Sequence, residues 1–504
     1  MFVLPFSEGP NINSPPDNLF CCSVIRAFIQ KETKMTKMTR LNILRTTAVG
    51  LALLCCRQRL LATEVKAEER PNILFLLIDD QRNDTLGCAG HPIIKTPVID
   101  SLAHNGTRFR NAFVTTAICA ASRASIFTGL HERTHGYTFC KPPLKKFLMA
   151  NSYPRLIRNA GYRTGFIGKY GVKTEGKPES EMFDFYIPHD RTPFLMKQPD
   201  GSLRHESEIA GDKAIEFLEG NPKGKPFCLS VSFKAVHAND GDLENHYPGS
   251  KAVEGMYENI KIPPPRLSDP SIFNNHPDFL KNSKNRERYH WRWDTPEKYQ
   301  KNMKAYFRMI SGVDYVIGRI RKELDKLNLS DNTVIIYMGD NGYYMGDRGF
   351  AGKWSHYEQS LRVPMIIYDP RLPKDKCGIV KNEMALNIDI PTTMLQLAGV
   401  KVPNHYQGRS LLQMPAGENN SGWRKDFFCE HLMENETIPK WEGIRGERYV
   451  YARYFRQKPV YEFLHDLKSD PDQLINLAKN PEYKSILAKM SKRCDELKEE
   501  YTDK

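Results

Sequence analysis

The 504-residue sequence has no apolar run of about 18 residues, which is the length that a membrane-spanning helix needs. It also has no Cys-x-x-Cys pair of the kind that binds zinc. No internal repeat, no low-complexity tract and no Lys/Arg block typical of nucleic-acid binding is present. These absences exclude a spanning anchor in the mature chain, a zinc finger and a repeat protein, and they argue against a nucleic-acid partner.

The first 67 residues differ in character from the rest of the chain. A basic segment at 34–40 precedes an apolar stretch at 48–56, and the small residues Ala62 and Ala67 follow. This order is typical of a secretory signal, so we expect residues 1–67 to be a leader and the protein to be exported, either periplasmic or secreted. A disordered cytosolic tail is the alternative.

Charge and cysteine usage narrow the class of protein further. Residues 1–62 contain eight Lys or Arg and three Asp or Glu, so +5 of the total +13 belongs to the leader and +8 remains. A basic surface favours anionic partners such as sulfated glycans.

Seven cysteines lie beyond the leader, and because seven is odd at least one stays unpaired within the chain. Cys119 is the one whose surroundings suggest chemistry.

Apolar runs alternate with amphipathic segments over most of the chain, which predicts an α/β fold with a large, mostly parallel sheet flanked by helices. We expect strands within 71–80, 163–169, 226–237, 333–342 and 363–370, and helices within 96–109, 152–161 and 296–327. The stretch between His237 and Pro296 is predicted as a long irregular loop. Residues 68–402 would form the catalytic domain. Residues 403–504 would form a smaller α+β domain, with a hairpin at 448–467 and a final helix at 481–500.

Two predicted strands end in pairs of oxygen-bearing side chains. Asp79 and Asp80 follow the first strand, and Asp340 and Asn341 follow a later one. Ligands bind beyond the carboxyl ends of strands in open α/β sheets. Three carboxylates and one amide oxygen are hard ligands that suit Ca²⁺, or Mg²⁺, better than zinc. Capping of the helices that follow is the alternative explanation.

Cys119 stands at the predicted N-terminus of a helix over 122–130, an end that attracts anions. Arg123 adds a forked donor suited to a tetrahedral oxyanion, although it could equally pair with a nearby carboxylate.

The stretch CAASRASIFTG resembles the signature of type I sulfatases, the formylglycine-dependent enzymes of the alkaline-phosphatase-like superfamily. The segments NILFLLIDDQR, GYRTGFIGK, SFKAVH, GDNGYYMGDRG and KWSHYEQSLRVPMI follow in the family's order. Ala121 is a mild departure, because proline is usual at that position. The resemblance implies hydrolysis of sulfate esters, and it favours carbohydrate sulfatases.

The resemblance also assigns roles to individual residues. Cys119, oxidised to formylglycine by a maturation enzyme, would be the nucleophile and a further metal ligand beside Asp79, Asp80, Asp340 and Asn341. Arg123, Lys169 and Lys353 would clamp the anion, and His237 would contact the leaving group or the sulfate. A hydrated aldehyde offers one hydroxyl to attack sulfur and a second to expel sulfate.

One departure concerns the position two residues after Lys169, where the family usually has histidine. Here it is Gly171, and His135 or Lys173 could stand in; His135 is also a candidate contact with the substrate.

The substrate would meet a cluster of aromatic and basic residues at 286–293, with Trp291 and Arg292 as candidate contacts. A loop packed against the domain is the alternative for that cluster. His356, three residues after Lys353, is a further candidate contact with the sugar. Two other functions remain open, namely hydrolysis of phosphonate or phosphate esters, and binding of sulfated glycans by a chain that never matures its cysteine.

Overall fold

The computed structural model describes residues 70–139, 141–414 and 422–502, and its strands and helices are as follows. The strands are β1 (Asn72–Ile78), β2 (Thr107–Phe109), β3 (Ala112–Phe113), β4 (Arg163–Gly168), β5 (Phe185–Pro188), β6 (Leu195–Lys197), β7 (Leu203–His205), β8 (Phe227–Phe233), β9 (Thr333–Gly339), β10 (Met365–Tyr368), β11 (Ile379–Lys381), β12 (Ala385–Leu386), β13 (Asp426–His431), β14 (Trp441–Gly446), β15 (Tyr449–Tyr454) and β16 (Tyr461–Asp466). The α-helices are α1 (Pro97–His104), α2 (Cys119–Thr128), α3 (Glu132–His135), α4 (Lys146–Ala150), α5 (Tyr153–Asn159), α6 (Glu179–Met182), α7 (Glu206–Glu219), α8 (Pro270–Asn274), α9 (Asp278–Lys281), α10 (Lys284–Arg292), α11 (Pro296–Lys326), α12 (Glu358–Leu361), α13 (Asp389–Leu397) and α14 (Lys484–Thr502). Short 3₁₀ helices cover Gly87–Ala89, Lys251–Val253, Ser330–Asn332, Asp347–Gly349, Lys374–Lys376, Leu411–Gln413 and Pro481–Tyr483.

An eight-stranded sheet with the order β11-β2-β10-β9-β1-β8-β4-β5 organises the larger part of the described chain. Every neighbouring pair in it is parallel except the two that involve β10. The prediction of a large, mostly parallel sheet flanked by helices is therefore confirmed. The reversed direction of β10 was not predictable, because a buried strand shows the same apolar run in either direction.

Strand β1 contributes to the core on both faces of this sheet. Its alternate residues Ile73, Phe75 and Leu77 pack with α2 and α5, whereas Leu74, Leu76 and Ile78 pack with the 31-residue helix α11. A parallel strand covered on both faces needs an unbroken apolar run, and β1 has one. Burial of each such side chain contributes about 1.5–3 kcal/mol, which holds the polar strand ends in register.

The C-terminal part forms a four-stranded antiparallel sheet in the order β13-β14-β15-β16, with α14 packed on it. The predicted hairpin corresponds to β15 and β16, and the predicted final helix to α14. A smaller C-terminal α+β unit is thus confirmed. The described residues from 70 onward belong to one compact unit, so the boundary at 403 stays a prediction. The predicted leader at 1–67 lies outside the described residues.

The stretch between His237 and Pro296 is not a continuous irregular loop. It contains α8, α9 and α10, and α10 covers most of the aromatic and basic cluster. Residues 284–292 lack an apolar stripe, so hydrophobic periodicity gave no signal for this helix. Among the described residues, no helix is both long and apolar enough to cross a membrane.

Candidate active site

Four adjacent parallel strands end at the same edge of the large sheet and bring polar side chains together. Ile78 at the end of β1 lies opposite Gly339 on β9, so that Asp79 and Asp340, the next residues, are neighbours. Lys169 directly follows β4, and His237 comes four residues after the end of β8. The shared register of these buried strands therefore fixes the positions of the candidate site residues.

Asp80 makes the turn out of β1 in the left-handed region, at φ 57°. Its Oδ1 accepts hydrogen bonds from Asn341 Nδ2 at 2.7 Å and from Lys353 Nζ. Its backbone N–H donates to Asp340 Oδ1 at 3.2 Å, and its carbonyl accepts from Tyr306 Oη at 2.9 Å. A strained backbone held by so many contacts is common at functional sites.

Two buried oxygen atoms at this edge have no hydrogen-bond partner, namely Asp79 Oδ1 and Asn341 Oδ1. A third acceptor joins them. His237 Nδ1 lies 2.7 Å from the Ala238 carbonyl, so Nδ1 carries the proton and Nε2 is an acceptor, 3.7 Å from Asp80 Oδ2. Asp79, Asp80 and His237 each offer one ligand atom within 4.8 Å of the others. Facing acceptors of this kind suit a cation.

The charges of the site balance before any ligand is added. Asp79, Asp80 and Asp340 face Arg123, Lys169 and Lys353, which is three negative charges against three positive ones. Burial opposes ionisation of Asp79, but the charges of Lys169 and its neighbours hold the pKa of Asp79 well below its usual range. Burial and the charge of Asp79 raise the pKa of Asp340. Burial lowers the pKa of His237 despite the nearby carboxylates.

Arg123 is almost fully buried and lies beneath the site. Its Nε donates to Asp340 Oδ2 at 2.8 Å, and its Nη1 donates to the Lys169 carbonyl and to Ser232 Oγ, both at 2.5 Å. Its Nη2 lies 3.9 Å from Asp79 Oδ2. The structure thus shows the carboxylate pairing that the sequence left as an alternative, and the role of Arg123 as an anion clamp stays a prediction.

Cys119 is the first residue of α2 and lines a cavity of about 830 Å³. Lys169, His237 and Lys353 line the same cavity, so the structure brings these four sequence-predicted catalytic residues together. The first backbone N–H groups of α2 have no intrahelical partner and point toward this end. Further cavity-lining residues with charged side chains are Lys173, Asp190, Arg191, Lys234, Asp240, Lys284 and Arg288.

Two of the predicted substrate contacts are not in the cavity. His135 is buried, with Nε2 at 3.1 Å from Ser125 Oγ and Nδ1 accepting from the Tyr137 N–H at 3.1 Å. His356 is buried against Tyr454 and His465, with its Nδ1 at 3.0 Å from Tyr454 Oη. Each imidazole is packed into the protein and absent from the cavity wall, so the structure does not bring either residue together with the other candidate site residues.

The predictions for Trp291 and Arg292 also need correction. Arg292 is fully buried and forms an ion pair with Asp240, and Trp291 does not line the cavity. The cavity residues from α10 are instead Lys284 and Arg288. Arg288 donates to Asp240 at 2.5 Å, and its guanidinium carbon lies 4.9 Å from the centre of the Trp354 ring. The signal that sequence reasoning missed is the helical i, i+4 spacing of Lys284, Arg288 and Arg292.

Gly171 leaves no room for the histidine that the sulfatase pattern usually has there. It adopts φ +73°, and a Cβ at this position would lie 2.6 Å from Arg123 Cδ. A side chain would be strained by the backbone and would displace the buried arginine. Of the two residues predicted to stand in, His135 is enclosed in the protein, whereas Lys173 lines the cavity.

Comparison with known proteins identifies relatives of the chain. Residues 71–400 match the family described as Sulfatase, and residues 346–500 match the C-terminal region of N-sulphoglucosamine sulphohydrolase. An N-acetylglucosamine-6-O-sulfatase from Bacteroides thetaiotaomicron is 28% identical over 507 residues, covering 86% of this chain and 87% of that relative.

Two solved structures share the fold. A protein solved in complex with its substrate, D-glucosamine-2-N,6-O-disulfate, aligns with a TM-score of 0.73 and 25% identity over 86% of this chain and 98% of that chain. A phosphonate monoester hydrolase of Agrobacterium radiobacter aligns with a TM-score of 0.68 and 22% identity over 86% of this chain and 96% of that chain, a likeness of fold alone.

The fold and the convergent strand ends define a hydrolase of the alkaline-phosphatase-like superfamily. Within it, the chain belongs to the sulfatase family and is a sulfuric ester hydrolase. The resemblance inferred from the sequence motifs is confirmed.

Proposed function

We propose that the protein hydrolyses a sulfate ester of a carbohydrate, with Cys119 matured to formylglycine as its nucleophile. The observation that carries this proposal is the position of Cys119 at the mouth of α2, on a cavity shared with Lys169, His237 and Lys353. Two similar proteins support a sulfated sugar as the substrate. One is named an N-acetylglucosamine-6-O-sulfatase, and the other was solved with a sulfated glucosamine.

The residues at the strand ends fit one divalent cation, with Asp79, Asp80, Asp340 and Asn341 as its ligands and matured Cys119 as a further one. Two orphaned oxygen atoms and the acceptor pair of His237 and Asp80 support this assignment. The site is otherwise neutral, so a 2+ ion would leave an excess of positive charge for the sulfate. The all-oxygen carboxylate and amide set favours Ca²⁺, with Mg²⁺ as the smaller alternative. When bound, the ion would supply Lewis-acid stabilisation of charge on the sulfate and the nucleophile.

The chain's own residues would hold and orient the ester. Burial opposes protonation of Lys169 and Lys353, but the charges of Asp79 and Asp80 raise the pKa of each, so both are ammonium groups that can bind sulfate oxygens. Arg123 would fix Asp340 and the Lys169 backbone from below. His237 or Lys353, which both line the cavity, would deliver the proton to the leaving oxygen.

A formylglycine at position 119 would supply two hydroxyls on one carbon, one to attack sulfur and one to release sulfate afterwards. The family usually has a histidine at the position of Gly171. We propose that Lys173, which lines the cavity, takes the place of this histidine in the release of sulfate. The maturation itself requires a formylglycine-generating enzyme as a partner. The leader pattern at 1–67 supports export, to the periplasm or beyond, where extracellular glycans would be met.

The deciding experiment is the intact mass of the tryptic peptide that contains Cys119, from protein purified from the native host. We expect an aldehyde at this position, together with faster turnover of an aryl sulfate than of the matched aryl phosphonate. An unmodified thiol with retained glycan binding would indicate a binding protein instead. Preference for the phosphonate would indicate a phosphonate hydrolase. A chain with the aldehyde that turns over aryl sulfates but no sulfated sugar would overturn the substrate assignment only.

A further inference from the structure

We propose that Asp240 selects the sugar by accepting a hydrogen bond from a free ring hydroxyl of the sugar that carries the sulfate. This inference rests on the proposed function and extends it from the sulfate group to the sugar ring. Asp240 follows His237 by three residues and lines the cavity that contains Cys119, Lys169 and Lys353. Its side chain is 29% exposed, so the carboxylate is reachable from the cavity.

The carboxylate of Asp240 is fixed in one orientation by two arginines of α10. Arg288 Nη2 donates to Oδ2 at 2.5 Å, and Arg292 Nη2 donates to Oδ1. Arg292 is itself fully buried, and Arg288 is held by the face of Trp354. Burial opposes ionisation of Asp240, but the charges of His237 and the two arginines hold its pKa below its usual value. The group is therefore an ionised acceptor with a rigid geometry.

An ionised carboxylate is unexpected in a cavity that binds an anion, because the two negative charges repel each other. Most charged groups around it are cationic, namely Lys173, Arg191, Lys234, Lys284 and Arg288 besides Lys169 and Lys353. The other cavity carboxylate, Asp190, is occupied by the backbone N–H groups of Tyr170 and Gly171 at 3.1 and 2.7 Å. Within the described residues, no backbone N–H donates to Asp240. Each of its carboxylate oxygens has one arginine donor and can accept a further hydrogen bond.

The chemistry that matches this group is a neutral hydroxyl. A sugar hydroxyl can donate to Asp240 and accept from the adjacent Arg288, whereas the oxygens of a second sulfate are acceptors only and would face the carboxylate unpaired. A site that pairs a substrate hydroxyl discriminates against the analogue that lacks it, because one hydrogen bond to a fixed acceptor is lost. Asp240 would therefore favour a free hydroxyl over a sulfated one at this second position of the same sugar.

The test compares wild type, Asp240→Ala and Asp240→Asn, each normalised to its aldehyde content at position 119. The substrates are an aryl sulfate, N-acetylglucosamine 6-sulfate, its 3-deoxy and 4-deoxy analogues, and its 4,6-disulfate. We expect Asp240→Ala to lower the sugar-to-aryl ratio of kcat/KM by about 10- to 100-fold. The loss should vanish on one deoxy analogue, and Asp240→Asn should narrow the preference for the monosulfated over the disulfated sugar.

Glu244→Ala is the matched control, because Glu244 is a carboxylate of the same connection that is 94% exposed and absent from the cavity wall. Equal losses on the aryl and sugar substrates, or an unchanged ratio, would overturn the role of Asp240. The same holds if wild type treats the sugar and both deoxy analogues alike. By contrast, a wild-type enzyme that turns over no sulfate ester at all would overturn the proposed function itself, so the two failures are distinguishable.

Discussion

Arg123 Nε donates to Asp340 Oδ2 at 2.8 Å in a contact from which water is excluded on both sides, since neither side chain is more than 1% exposed. A buried pair of this kind contributes modestly when intact, but removal of one partner leaves an uncompensated charge. The pairing therefore ties the stability of the fold to the chemistry of the site.

The first prediction follows from this pair. Arg123→Ala should lower the free energy of unfolding by about 3–5 kcal/mol, measured by urea denaturation, and should abolish activity. Arg123→Lys should recover only part of the loss, because an ammonium cannot reproduce the forked contacts with Asp340, the Lys169 carbonyl and Ser232. Arg456, which is 67% exposed, provides the control, and its alanine variant should change stability by less than about 0.5 kcal/mol. Equal effects of both alanine variants would contradict the structural role of Arg123.

The second prediction concerns the cation. Saturating Ca²⁺ should stabilise chelator-treated protein, by about 2.7 kcal/mol at a concentration 100 times the dissociation constant. Asp340→Ala and Asn341→Ala should lose this shift in thermal unfolding, because they remove oxygen ligands from the strand end. The readout does not depend on turnover. A calcium-induced shift of unchanged size in both variants would place the cation elsewhere.

The third prediction concerns the nucleophile. Cys119→Ala should abolish turnover but retain binding of a sulfated sugar, because Lys169 and Lys353 remain in the cavity. Cys119→Ser should release at most one equivalent of alcohol, since a serine sulfate has no second hydroxyl with which to expel sulfate. Quenched-flow measurement of alcohol release, together with the mass of the enzyme, would detect the trapped ester. Multiple turnovers by the serine variant would contradict the proposed chemistry.

Much of the site could be predicted from the sequence because its positions are fixed locally. Each of the strands β1, β4 and β9 is a mainly buried segment followed directly by a polar residue, so Asp79, Lys169 and Asp340 could be predicted at their ends. Asp240 was missed because its partners Arg288 and Arg292 lie 48 and 52 residues further along the chain, on a helix without an apolar stripe. His356 was predicted as a substrate contact because it lies three residues after Lys353. Nearness in sequence, however, does not determine the direction in which its ring points.

The fourth prediction concerns attraction of the substrate. Lys284→Ala and Arg191→Ala should lower kcat/KM on a sulfated oligosaccharide at low ionic strength, and the effect should shrink at about 0.5 M salt, where the Debye length is only a few ångströms. A small aryl sulfate should show a weaker dependence on salt. Trp291→Ala is the control from the same helix, because Trp291 does not line the cavity. If Trp291→Ala loses as much as Lys284→Ala at every salt concentration, the loss at Lys284 reflects the packing of α10 and not the charge.

The fifth prediction is a pH dependence of stability that arises behind the active site, where His276, His356 and His465 are buried near one another. Burial lowers the pKa of His276 and His465 to about 3 and that of His356 well below its usual value, and the charge of Arg348 acts in the same direction on all three. The unfolded chain would titrate near 6.5. Below that pH the unfolded state binds protons that the native state does not, so stability falls as the pH falls.

Each such histidine contributes a slope of about 1.4 kcal/mol per pH unit between the unfolded and folded pKa values. We expect His356→Gln to flatten the dependence of the free energy of unfolding between about pH 6 and pH 4 by about that amount per unit, measured by urea denaturation at a series of pH values. His290, whose side chain is 53% exposed, is the matched control, and His290→Gln should leave the slope unchanged. Equal slopes for wild type and His356→Gln over this range would contradict the prediction, because they would show that the protonation of His356 does not change on folding.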